Sequence, residues 1–113
     1  MNKKICNVVK TIDHRSYMWK NDREFNGCAV KYSLNECYDL LKRQGYLFLN
    51  QVYSKLGLPL TKEGQTSGWV YDEAHKKDTL WTIWHKNNEE VDVHIIFEPL
   101  ENILDALPSE EEL

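Results

Sequence analysis

The side chains of this 113-residue chain that could bind a metal or move a proton are four histidines, three cysteines and eighteen acidic residues. His14, His75, His85 and His94 form no HxH or HxxxH pair, whereas a catalytic zinc needs three convergent ligands. Cys6, Cys28 and Cys37 are odd in number and lack CxxC spacing, so they outline neither a disulfide framework nor a zinc knuckle. They read as free thiols of a reducing compartment, and Cys37, on an apolar stripe, reads as buried and inert. Asp72-Glu73 and Glu89-Glu90 are paired carboxylates placed in a loop and a turn, without a recognisable acid–base context. Thr61-Lys62-Glu63-Gly64 lacks the glycine spacing and the GK[ST] end of a phosphate-binding loop. No catalytic residue, cofactor or metal is expected, and the chain does not read as an enzyme.

What remains is binding. Aromatic residues make up 12% of the chain, including Trp19, Trp69, Trp81 and Trp84, which suits either a core of large rings or an anchor surface. In so small a domain, most of these rings are expected in the core. Charge is divided along the chain. Residues 1–62 carry eleven Lys and Arg against five Asp and Glu, and residues 63–113 carry three against thirteen. Such halves can pair on folding or present one basic and one acidic face. The expected contact patch is Trp81, Ile83, Glu89, Glu90 and Asp92, where two exposed rings or branches would stand beside acidic side chains. Charge reversal at Glu89 and Glu90 is then expected to weaken partner binding without lowering the melting temperature. The expected partner is another protein, from host or phage. A membrane is not expected, since no run approaches ~18 consecutive apolar residues, and the N-terminal residues lack the apolar region of a signal peptide. The cytoplasm of a bacterial host cell is the expected location.

These residues must be positioned by a small set of elements. Ser33 and Glu36 have the spacing of a capping box, and Leu34, Cys37, Tyr38 and Leu41 follow at helical steps. Lys42 and Arg43 suit the end of that helix, and Gly45 can stop it. Tyr46 to Leu49 reads as an extended link or a first helical turn. Asn50 can cap a second helix through Val52, Tyr53 and Leu56, ended by Gly57 and Pro59. Upstream, Ile5 to Val9 reads as a short strand or helical turn. Asn26-Gly27 reads as a turn leading into a strand at Cys28-Ala29-Val30. Downstream of a polar loop from Thr61 to Gly68, Trp69-Val70-Tyr71 reads as a strand. Leu80–His85 and Val91–Phe97 read as a hairpin turning at Asn87-Asn88. In that register Trp84 faces Val91, Thr82 faces Val93 and Leu80 faces Ile95 on the core side. Trp81 and Ile83 fall on the other side, opposite His94 and Asp92. Leu100, Ile103, Leu104 and Leu107 have the spacing of a short closing helix.

The order helix, link, helix, hairpin is also that of a winged-helix DNA-binding regulator, with Lys42, Arg43, Lys55 and Lys62 as phosphate contacts. The acidic hairpin would repel a nucleic-acid backbone, so nucleic acid is the lesser expectation.

The run from Leu41 through Gly45-Tyr46-Leu47-Phe48-Leu49-Asn50-Gln51-Val52-Tyr53, then Leu56-Gly57-Leu58-Pro59-Leu60-Thr61-Lys62 and Gly68-Trp69-Val70-Tyr71-Asp72, resembles a known pattern. It is similar to an uncharacterised domain of small proteins from phages and prophages of Gram-positive gut bacteria. The resemblance spans residues 41–72 and implies an origin rather than a reaction. Many members carry a helix between the last two strands, where this chain has Asn87-Asn88.

The expectation is an α+β fold, with two or three helices packed on a three- or four-stranded, mainly antiparallel sheet. Residues 1–108 form one domain and 109–113 an acidic mobile tail. The expected function is that of a small phage- or prophage-encoded protein-binding module. An inhibitor of a bacterial defence system acting through an acidic surface is one form of it, and a structural or assembly component of a phage particle is the other.

Overall fold

The computed structural model describes residues 7–72 and 80–104. Two α-helices pack with two antiparallel sheets in an α+β arrangement. The strands are β1 (Val8–Ile12), β2 (Tyr46–Phe48), β3 (Gly68–Val70), β4 (Trp81–Trp84) and β5 (Val93–Phe97). The helices are α1 (Arg23–Gln44) and α2 (Leu49–Leu56), and a 3₁₀ turn spans Glu63–Gln65. The single sheet expected from the sequence is divided in two: β1-β5-β4, and β2-β3.

The first helix begins well before Ser33. Asp22 caps it by accepting the Phe25 N–H at 3.0 Å, and Asn26, Val30, Leu34, Cys37 and Leu41 form its buried stripe. The expected turn at Asn26-Gly27 and the strand at Cys28–Val30 are therefore corrected to helix. The apolar period was interrupted by Asn26, whose amide is buried for a different reason. It accepts the Lys20 N–H (2.8 Å) and donates to the carbonyls of Lys20 (2.6 Å) and Val91 (3.0 Å). Those bonds satisfy a buried amide and moor the helix to the loop before β5. Gly45, at φ 84°, closes the helix as expected, with its N–H on the Leu41 carbonyl.

Tyr46 to Phe48 form a strand, and α2 follows without a break. Asn50 is not its cap. Gln51 reaches back to accept the Phe48 N–H at 2.9 Å, while Asn50 clamps the backbone of Thr61 with two hydrogen bonds. Leu49, Val52, Tyr53 and Leu56 form the buried face of α2. Gly57 ends it at φ 70°, a conformation costly for a residue with a Cβ.

In the larger sheet, β5 is central, and β1 and β4 flank it. Val8 pairs with Phe97 and Ile12 with Val93 on one side; Trp81 pairs with Phe97 and Trp84 with His94 on the other. The hairpin register thus differs by three residues from the expected one, and an odd displacement turns β4 over. Thr82 faces outward, while Trp81 is 7% exposed and Ile83 packs against the core. Burying the indole removes far more apolar surface from water than burying Thr82 would. The two-residue turn is replaced by a longer loop, secured where Glu90 accepts the Lys86 N–H and His85 Nδ1–H donates to the Asp92 carbonyl.

The core joins α1 and α2 to the inner face of this sheet through Tyr53, Trp69, Trp81 and Phe97, whose rings meet edge-on or tilted at 5.3–6.5 Å. From Leu100 to Ile103 the chain runs beside β3 rather than as part of the expected helix, whose remainder past Leu104 lies outside the described residues. Leu100 and Gly68 exchange two backbone hydrogen bonds, and Ile103 N–H donates to the Thr66 carbonyl. Leu107, His75, Cys6 and the acidic tail lie outside the described residues. No helix among the described residues is long and apolar enough to cross a membrane.

Candidate functional site

Among the described residues, several of the side chains that could do chemistry are committed to internal bonds or buried. Cys37 is buried in the stripe of α1, and burial pushes its thiol up to about 12, away from nucleophilic use. Cys28 is exposed on the same helix. No group of three His, Cys, Asp or Glu among the described residues is arranged to hold a metal ion.

His94 is only 5% exposed although it lies on the outer face of the sheet. Trp84 stacks over it with centroids 4.5 Å apart. An ionised Glu90 accepts a hydrogen bond from His94 Nε2–H at 2.8 Å, which leaves Nδ1 to accept from the Thr11 hydroxyl at 2.9 Å. Partial burial pushes the Glu90 carboxyl up, but the Lys86 amide and His94 outweigh it and hold it below the usual range. This hydroxyl–imidazole–carboxylate chain has the order of a proton relay. The indole covers the ring and both nitrogens are engaged, so it ties together β1, β5 and the hairpin loop.

The expected patch is not brought together as one surface. Trp81 and Ile83 face the core, and Asp92 accepts the Trp19 Nε1–H at 2.8 Å. Glu90 is engaged as above, leaving Glu89 as the exposed acid of the set. The sign of the charge was legible; its availability depended on a register that turned β4 over.

A different surface emerges along β1, which the sequence left as a poorly resolved segment. Among the described residues its outer edge pairs with no strand. Beside it lies a groove of about 630 Å³, lined by Val9, Lys10 and Thr11, by Asp13, Arg15 and Ser16, and by Gly57, Leu58 and Pro59. Its walls are fixed. Ser16 Oγ donates to the Leu56 carbonyl at 2.9 Å and Tyr17 Oη to the Lys55 carbonyl at 3.3 Å, capping the end of α2. Any Cβ at Gly57 would lie 2.6 Å from the Tyr17 ring, so glycine is needed for closeness as well as for φ. Arg15 grips Asp13 through its guanidinium and its backbone N–H, which lowers the Asp13 carboxyl to about 2. Val9 in the lining is 57% exposed, and Tyr17 and Leu60, next in the chain to the lining residues Ser16 and Pro59, are 77% and 62% exposed. The sequence carries Val9, Tyr17 and Leu60 at three separate points of the chain. Only the fold brings Val9, Ser16 and Pro59 together around one groove.

No curated protein and no solved structure matches the chain. The model of a family of unknown function, DUF6353, matches residues 4–104, a span that holds both sheets, both helices and the β1 groove, and the chain belongs to that family.

Proposed function

We propose that this chain is a non-catalytic protein-binding module of phage or prophage origin. The observation that carries the binding reading is the edge of β1 that pairs with no strand among the described residues, beside a groove with exposed apolar residues in or next to its lining. An unpaired edge strand offers a row of backbone donors and acceptors to an incoming chain. The walls are held in place before a partner arrives, which lowers the ordering cost of binding. The engagement of His94, Glu90 and Cys37 in the interior supports binding over catalysis. The phage or prophage origin rests on the resemblance of residues 41–72.

The charge division supports an electrostatic contribution. The ion pairs Arg15–Asp13 and Lys55–Glu36 both lie within the basic half, so they do not cancel one half against the other. An inhibitor of a bacterial defence system is the form this function takes if the partner is a host effector. A particle component is the form it takes if the partner is a phage structural protein.

The test immobilises the protein, passes over it bacterial lysate with and without phage infection, and maps the retained complex by hydrogen exchange. Protection of residues 8–12 and 57–60 by one retained protein is the expected result. Protection of the 85–92 loop instead would move the site to the acidic hairpin. Retention of nothing from either lysate would overturn the reading.

A further inference from the structure

Resting on the protein-binding reading above, we infer that the occupant of the β1 groove is an extended strand of another protein with an acidic side chain opposite Lys10. β1 already has β5 on one side, and alternate residues of an antiparallel edge strand turn their N–H and C=O groups to the other. A strand added there would place its inward side chains over Leu58 and Pro59, and its outward ones beside Val9.

Charge decides which strand is accepted. In the groove Arg15 is already neutralised by Asp13 at 2.7 Å. Lys10 is not: its ammonium stands 5.3 Å from the centre of the Tyr53 ring, with no carboxylate partner among the described residues. Lys10 occupies the middle of the five-residue strand, on the same face as Ile95. In a symmetric antiparallel pairing of two copies about that centre, the two Lys10 ammoniums would oppose each other directly. Like charges in that position disfavour pairing, and an inward lysine is a known guard against edge-to-edge association. A strand carrying Asp or Glu at the facing position converts the guard into a selective contact, so the same residue that rejects a second copy admits an acidic partner.

The test selects a displayed library of random nine-residue peptides against the wild-type protein and, separately, against Lys10→Glu. Wild type is expected to enrich peptides with alternating apolar residues around one Asp or Glu, and Lys10→Glu to enrich Lys or Arg at that place. Titration of a selected peptide into ¹⁵N-labelled protein should move the amide signals of residues 8–12 and 57–60. Lys10→Met, which keeps an apolar stem over Tyr53, should melt like wild type and bind that peptide roughly two- to fivefold more weakly. Selection with no acidic preference, or one unchanged by Lys10→Glu, overturns the inference. Amide shifts confined to other surfaces would remove the edge while leaving protein binding intact. Failure of both peptide selection and lysate capture would remove both.

Discussion

On its inner face the three-stranded sheet presents Val93, Ile95 and Phe97 to the helices, whereas on its outer face the same central strand presents His94 and Ile96. The inner side is held by area: Phe97 is fully buried and touches Tyr53, Trp69 and Trp81. The outer side has no helix over it among the described residues, and its buried member is a polar ring held by Thr11, Glu90 and Trp84. The first arrangement tolerates no loss of volume; the second tolerates no loss of a partner.

The largest effect is expected inside. Phe97→Ala should cost about 3–5 kcal/mol in urea unfolding, from lost transfer energy and the cavity left among the rings. His94→Ala should cost about 1–3 kcal/mol, because it strands Glu90 and the Thr11 hydroxyl. Its effect should be less than additive with that of Glu90→Gln, which removes the same bond; full additivity would mean the outer chain does not act as a unit.

Glu90→Gln alone should cost about 1 kcal/mol at pH 7. Its folded carboxyl lies below its unfolded value of about 4.3. The stability it contributes is therefore present above about 4.3 and lost as pH falls through the folded value. Melting curves of wild type and Glu90→Gln should draw together as pH falls below about 4.3, and a gap that stays constant from pH 7 into acid would show that charge is not what holds this face. The smallest effect is expected next door. Glu89→Lys should change stability by no more than about 0.5 kcal/mol, since Glu89 is exposed. The expectation that both reversals spare the melting temperature is thus kept as a prediction for Glu89 and withdrawn for Glu90.

Local signals in the sequence located α1's end, α2 and the strands of the hairpin, because Gly45, Gly57 and the alternation of Val93 and Ile95 act within a few residues. The start of α1 was hidden because Asn26 and Gly27 look like a turn, and their true partners, Val91 and His85, lie far along the chain. The hairpin register failed for a related reason. Trp81, Ile83 and Trp84 offer apolar groups to both faces of β4, so alternation alone could not choose, and the choice fell to the ring cluster assembled from α2, β3 and β5. The β1 edge was illegible because an edge is defined by which neighbour is missing, and no residue of β1 encodes that.

The pairing of Val8 with Phe97 has a consequence for how the protein is made. On the ribosome the first strand leaves the exit tunnel long before the strand it must join. The segment from α1 to β3 can assemble from neighbours near in sequence, but the sheet waits for almost the whole described chain to be synthesised. During that interval Val8, Val9 and Ile12 have no sheet to enter, and a nascent apolar strand in that condition is a natural client for a chaperone. Among the described strands, the last to be translated is thus the one that releases the first.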